Sequence, residues 1–115
     1  MTISGVHLMA FSTDAEATRA FLRDALELEA VDAGGGWLIF ALPPAELGVH
    51  PTDGPPRHAL YLMCDDLDST LGGLAARGVA LARAPATEAF GRVAYLDVPG
   101  IGELGLYEPS HPTPR

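Results

Sequence analysis

The chain has 115 residues, 48% apolar and 19% charged, which suits one compact core and not two, and excludes a disordered chain. A formal net charge of −8 argues against nucleic acid and anionic membranes, since both need a basic face; it suits a neutral or cationic ligand, but more simply it keeps the protein soluble. Cys64 is the only cysteine, so no intrachain disulfide can form, and without a leader-like or membrane-length apolar run the expected setting is the cytoplasm.

In chain order, Ile3–Phe11 alternates as a strand, with Val6, Leu8 and Ala10 on one face and His7, Met9 and Phe11 on the other. Thr13 followed by Glu16 fits a capping box that opens a helix. Ala17, Phe21, Ala25 and Leu28, with Leu22 and Leu26, give that helix its apolar stripe. Gly34-Gly35-Gly36 is expected to be a turn and not a phosphate loop, because the next segment, Trp37–Leu42, reads as a strand and offers no helix N-terminus. Pro43-Pro44 forces a break before a short strand, Glu46–His50. Thr52–Pro56 is the most turn-rich stretch and the seam between two halves.

The second half repeats this order. His58–Met63 reads as a strand, and Asp65-Asp66 caps a helix over Leu67–Arg77 that stops at Gly78. Gly72-Gly73 inside that helix either weakens it or permits close packing. Val79–Ala82 forms a short strand, and Arg92–Val98 and Glu103–Tyr107 form a hairpin about Pro99–Gly102. Residues 110–115 make a mobile tail in which His111 faces solvent.

The two halves align without a gap through the first strand and helix. His7 falls on His58, Met9 on Leu60, Phe11 on Leu62 and Asp14 on Asp65. Gly35–Pro43 then falls on Gly91–Pro99, and Ala45–Pro51 on Gly102–Pro109, with the offset drifting only at loops. This is the pattern of a duplicated strand–helix–strands unit in one domain, with modules of about 1–56 and 57–109.

Alternation places Glu46, Gly48 and His50 on one face of the fourth strand, and Glu103, Gly105 and Tyr107 on the equivalent face of the last. If the halves are related by a pseudo-two-fold, His7 and His58 lie near the axis and Glu46 and Glu103 form a second pair. Such a set could hold a divalent metal (Zn, Fe, Mn or Ni) with positions open to a substrate. The competing reading makes the glutamates solvated strand ends, His50 a loop-edge residue, and Tyr95 and Tyr107 half-core tyrosines. Glu108 has the opposite parity from Glu103 and is expected to face solvent. A third reading is an interaction module without a pocket, its histidines satisfied core groups.

The strand-borne His7, the helix from Asp14 through Phe21-Leu22 to Leu26, the segment RHALYLMCDDLD and the ending LDVPGIGELGLYEP together resemble the vicinal oxygen chelate superfamily. That superfamily includes glyoxalases, extradiol dioxygenases and fosfomycin- and bleomycin-resistance proteins. The resemblance implies an α+β fold of two βαβββ modules curled into a cup, commonly a homodimer, with a small-molecule ligand.

It also implies metal ligands at His7 and His58, and a carboxylate on the last strand. In family endings that carboxylate falls four residues before the final proline, which here is Gly105, with Gly48 in the same register of the first half. Moving the role to Glu103, as metal ligand and catalytic residue, and to Glu46 requires shorter hairpins. With those ligands the resemblance implies a metal-dependent glyoxalase- or dioxygenase-like enzyme. With the glycine register it implies a metal-free drug-binding protein. In either case Met9, Phe11, His50, Tyr95 and Tyr107 would line the cup.

Overall fold

A computed structural model describes Ser4 and residues 6–114; Ile3, Gly5 and Arg115, which fall in the expected first strand and tail, lie outside the described residues. The elements in order are α1 (Ala15–Ala20), a π-helical turn (Phe21–Ala25), β1 (Ala30–Asp32), β2 (Leu38–Phe40), β3 (Tyr61–Met63), α2 (Leu67–Ala76), β4 (Leu81–Glu88), β5 (Gly91–Val98) and β6 (Gly102–Pro109).

The second half forms a complete sheet in the order β3-β6-β5-β4, with β3 parallel to β6 and the other pairs antiparallel. Helix α2 covers one face. Leu67 and Leu74 meet Ala94, Leu96, Val98, Leu104 and Leu106 there, and these buried residues are the core. The strands β5 and β6 are therefore apolar on alternate positions, as a sheet with one covered face requires.

Both ends of α2 follow from sequence. The Asp66 carboxylate accepts from the Ser69 N–H at 3.1 Å, which satisfies an orphan donor of the first turn. At the other end Gly78, at φ +80°, lets its own N–H reach the Ala75 carbonyl and the Val79 N–H reach Leu74. That double closure is a Schellman stop. Gly72 and Gly73 lie exposed, with open space where a side chain would stand, so the close-packing alternative fails and they only weaken the helix.

Glu108 does not simply face solvent. It is half-buried, and its carboxylate accepts from the Leu67 N–H at 3.0 Å, giving α2 a second cap from β6. The strand expected over Val79–Ala82 is also longer, reaching Glu88. It is the sheet's outer edge, where Pro85 is tolerated and the register shifts on either side of Arg83.

The first half departs further from expectation. Asp14, not Thr13, caps α1, its carboxylate accepting from the Ala17 N–H at 3.1 Å. Thr13 is drawn away because its hydroxyl and its N–H both donate to the Gly100 carbonyl, at 3.2 and 3.0 Å. Thr18, 5% exposed, donates to the Pro99 carbonyl at 2.6 Å. This pins α1 to the β5–β6 turn. Gly100 allows it: at φ +86° a side chain there would run into Ser12, Thr18 and the Asp14 backbone.

After Ala20 the helix widens into its π turn and ends through Glu27, at φ +56°, instead of continuing to Leu28. The triple glycine is a hairpin turn, as expected. Asp32 accepts from the N–H groups of Gly34 and Gly36 at its neck, and β1 pairs with β2 across it.

The strands expected over Ile3–Phe11 and Glu46–His50 pair with nothing among the described residues, and His58–Leu60 lies outside β3. The radius of gyration is 15.1 Å, against about 13 Å for a compact chain of this length. No helix among the described residues is long and apolar enough to cross a membrane.

Candidate functional site

The uncovered face of the second sheet carries a concentration of aromatic and ionisable side chains. Register explains it. Tyr61 pairs with Gly105, Gly105 with Tyr95, and Tyr95 with Arg83, so these four form one row across all four strands. Met63, Tyr107 and Val93 form the next row, and Asp97 lies opposite Glu103. Directly opposed residues share a face, so all of these stand opposite the core.

Gly105 has no side chain, and the Tyr61 ring fills the space above it. Tyr61 and Tyr95 thereby meet, with ring centroids 6.1 Å apart and hydroxyls at 3.3 Å. Tyr107 stands edge-on to Tyr61 at 5.8 Å, and Phe90, from the β4–β5 turn, packs on Tyr107 at 5.4 Å. Offset and edge-to-face contacts of this kind are the favoured arrangements of aromatic rings.

Arg83 closes one end of the row. Its guanidinium lies 3.6 Å from the centre of the Tyr95 ring and makes a 2.8 Å ion pair with Glu103. At the other end, a small cavity of about 140 Å³ is lined by Pro44, Ala45, Glu46, Met63 and Thr113.

Local fields follow from this packing. The hydrogen bond with Tyr61 holds the Tyr95 phenol above its ordinary pKa, and burial adds to this. Burial raises the Tyr107 phenol, with the nearby Glu46 carboxylate acting in the same direction. His111 is half-buried and not a free tail residue. Its Nδ1 lies 2.8 Å from the Pro112 carbonyl, which can only accept, so in the neutral ring Nε2 accepts from the Tyr107 hydroxyl at 3.2 Å.

Tyr95, Tyr107 and Glu103 thus stand on one face, with Glu46 at its margin. His7, Met9 and Phe11 do not join them within the chain. They lie on the unpaired N-terminal segment, where His7 Nε2 approaches the Met9 sulfur at 3.1 Å and Phe11 is 87% exposed. His50 is exposed and bonded to the adjacent Pro51 carbonyl, and His58 is exposed ahead of β3.

Among the described residues no group of three or more His, Cys, Asp or Glu is placed to hold a metal ion. Glu103, moreover, is engaged by Arg83, and the Tyr61 ring occupies the place a longer residue at position 105 would need. Among the described residues, His7, His58, Glu46 and Glu103 are thus not gathered into one metal-binding group within the chain.

Sequence reasoning missed Tyr61, Arg83 and Phe90. A signal for Tyr61 was present, since a glycine inside a strand marks a close approach by something else. The other two depend on pairing that the sequence does not display.

Comparison with solved structures gives the class of protein. TnmS3, an antibiotic binding protein from Streptomyces sp. CB03234, is 30% identical, covering 96% of this chain and 99% of that one, with a TM-score of 0.68. A glyoxalase/bleomycin resistance protein from the same organism is 26% identical, covering 85% and 94%, with a TM-score of 0.57. A member of the glyoxalase/bleomycin resistance protein/dioxygenase superfamily from Sphaerobacter thermophilus DSM 20745 shares the fold, at 21% identity, coverage of 91% and 97%, and a TM-score of 0.63. No family model and no curated protein matches the sequence. The chain belongs to the glyoxalase/bleomycin resistance/dioxygenase superfamily, and its fold is the α+β fold of that superfamily.

Proposed function

We propose that this protein binds and sequesters a small molecule on the aromatic face of its second sheet, without a metal and without chemical turnover. One observation carries the reading. At Gly105, where the family resemblance looks for a metal-binding carboxylate, the protein has instead a tyrosine ring lying over bare backbone. A face of packed tyrosines offers contact area and hydrogen bonds, and its Glu103 carboxylate is already held by Arg83. The antibiotic binding of TnmS3, the 30% identical relative, is in keeping with this.

The binding form is a homodimer of single-domain chains, each built of modules 1–56 and 57–109, in the cytoplasm. Val6, Phe11, Leu47 and Val49 are 79, 87, 88 and 91% exposed on segments whose backbone has no strand partner among the described residues. The accessible surface is 8419 Å², against about 6,000 Å² for a compact monomer of 12.0 kDa. The excess is of the size that an obligate dimer buries. The cavity beside this face, about 140 Å³, is also below the roughly 300 Å³ of ordinary ligand pockets, which is in keeping with a second copy that helps to enclose the ligand.

The test is elemental analysis of protein purified without chelators, together with fluorescence titration against acridine, a planar dye neutral at pH 7.5. Absence of stoichiometric metal and saturable dye binding that Tyr61→Ala abolishes are expected. Stoichiometric metal lost in His58→Ala would overturn the reading.

A further inference from the structure

Resting on the small-molecule reading above, the nature of the ligand can be narrowed from what already covers the binding face. Arg83 is the only basic residue in the rows that make up this face, and it is not free. Its planar guanidinium lies over Tyr95 and is tied to Glu103, with both ion-pair partners about half exposed. A planar cation on a tyrosine ring, with a carboxylate at its edge, is what this corner is built to hold. The side chain is long and 56% exposed, so solvent can receive it when it leaves.

Without Arg83 the balance of charge is one-sided. Glu103 and Asp97 face one another at the end of β5 and β6, and Glu46 borders the face beside Met63 and Tyr107. The opposite edge is aromatic, with Phe90, Tyr107 and Tyr61 in mutual contact. A ligand entering here therefore meets stacking surface together with negative charge. The whole chain, at −8, adds a long-range field of the same sign.

We propose that Arg83 occupies the ligand's own place, and that the ligand is a planar aromatic cation that displaces it from Tyr95 and takes over its pairing with Glu103. Arg83 then acts as a specificity filter. A neutral aromatic compound could cover the Tyr61 and Tyr107 end, but it would not compensate Glu103 for the loss of its partner. A cation does.

Proflavine and acridine share one three-ring frame, and at pH 7.5 the first is cationic and the second neutral. In fluorescence titrations at low salt, wild type should bind proflavine at least tenfold more tightly than acridine. Glu103→Gln should remove that preference, chiefly by weakening proflavine. Arg83→Ala should strengthen proflavine a further tenfold, because it vacates the ring and frees the carboxylate, while Arg83→Lys should fall between. Both sites are exposed, and circular dichroism verifies that each variant folds. Equal binding of the two dyes, or proflavine weakened by Arg83→Ala, would overturn the proposal while leaving the small-molecule reading intact. Failure of both dyes to bind any variant would remove both.

Discussion

The ring of Tyr61 lies over the Cα of Gly105, its register partner on the neighbouring strand, closer than any side chain at position 105 would allow. That contact sets the spacing of the aromatic face, since it brings Tyr61 within reach of Tyr95 on the far side of β6. Gly105→Ala should expel the ring and destabilise the fold by about 1–3 kcal/mol, the usual cost of overpacking. Urea denaturation measures it. In a Tyr61→Ala background the same change should cost clearly less, because the two sites are coupled.

Tyrosine ionisation gives a second check. Tyr95 and Tyr107 both have phenols raised above the ordinary value of 10.0, the first by its hydrogen bond with Tyr61, the second by burial. A group whose folded pKa lies above its unfolded value stabilises the fold fully below the unfolded pKa. That contribution is lost as pH rises through the folded value. Ultraviolet titration should show Tyr95 and Tyr107 ionising late, with stability falling above about pH 10. Tyr61→Phe should bring Tyr95 back toward the ordinary range and leave Tyr107 largely where it was.

Gly72 and Gly73 occupy exposed positions inside α2 with nothing near their missing side chains. Replacing either with alanine should stabilise the protein by about 0.5–1 kcal/mol through lost backbone freedom of the unfolded chain. Thermal unfolding should show a higher midpoint for each. Unchanged dye binding would separate this helix from the ligand face.

The exposed apolar segments test the assembly. Wild type should elute as a dimer in size-exclusion chromatography with light scattering. Phe11→Asp and Val49→Asp should shift it toward monomer by placing charge where apolar surface is to be covered. The monomers should retain α2 and the second sheet by circular dichroism, because the core residues lie entirely in the second half. They should bind acridine more weakly, since one wall of the enclosure would be gone.

Sequence alone determined a good deal of this protein. The caps and glycine stop of α2, the turn at Gly34–Gly36, the two long strands of the final hairpin and the parity of Glu103, Gly105 and Tyr107 all follow from rules local in sequence. They could therefore be read directly. The family pattern was legible for the same reason, as an order of local elements.

Tertiary structure decided the rest. Whether Ile3–Phe11 and Glu46–His50 pair depends on partners distant in sequence or on another molecule, and alternation reports a strand's faces without naming its neighbour. Glu108 became a helix cap because β6 runs beneath the start of α2. Thr18 became a pin because Gly100 leaves room for it. Glu103 paired with an arginine because β4 lies on the far side of β5, two strands away from it, and the guanidinium is long enough to reach across Tyr95. Charge and periodicity are properties of a segment, whereas coordination and stacking require particular atoms to converge. In this chain the convergence runs through the row Tyr61, Gly105, Tyr95 and Arg83.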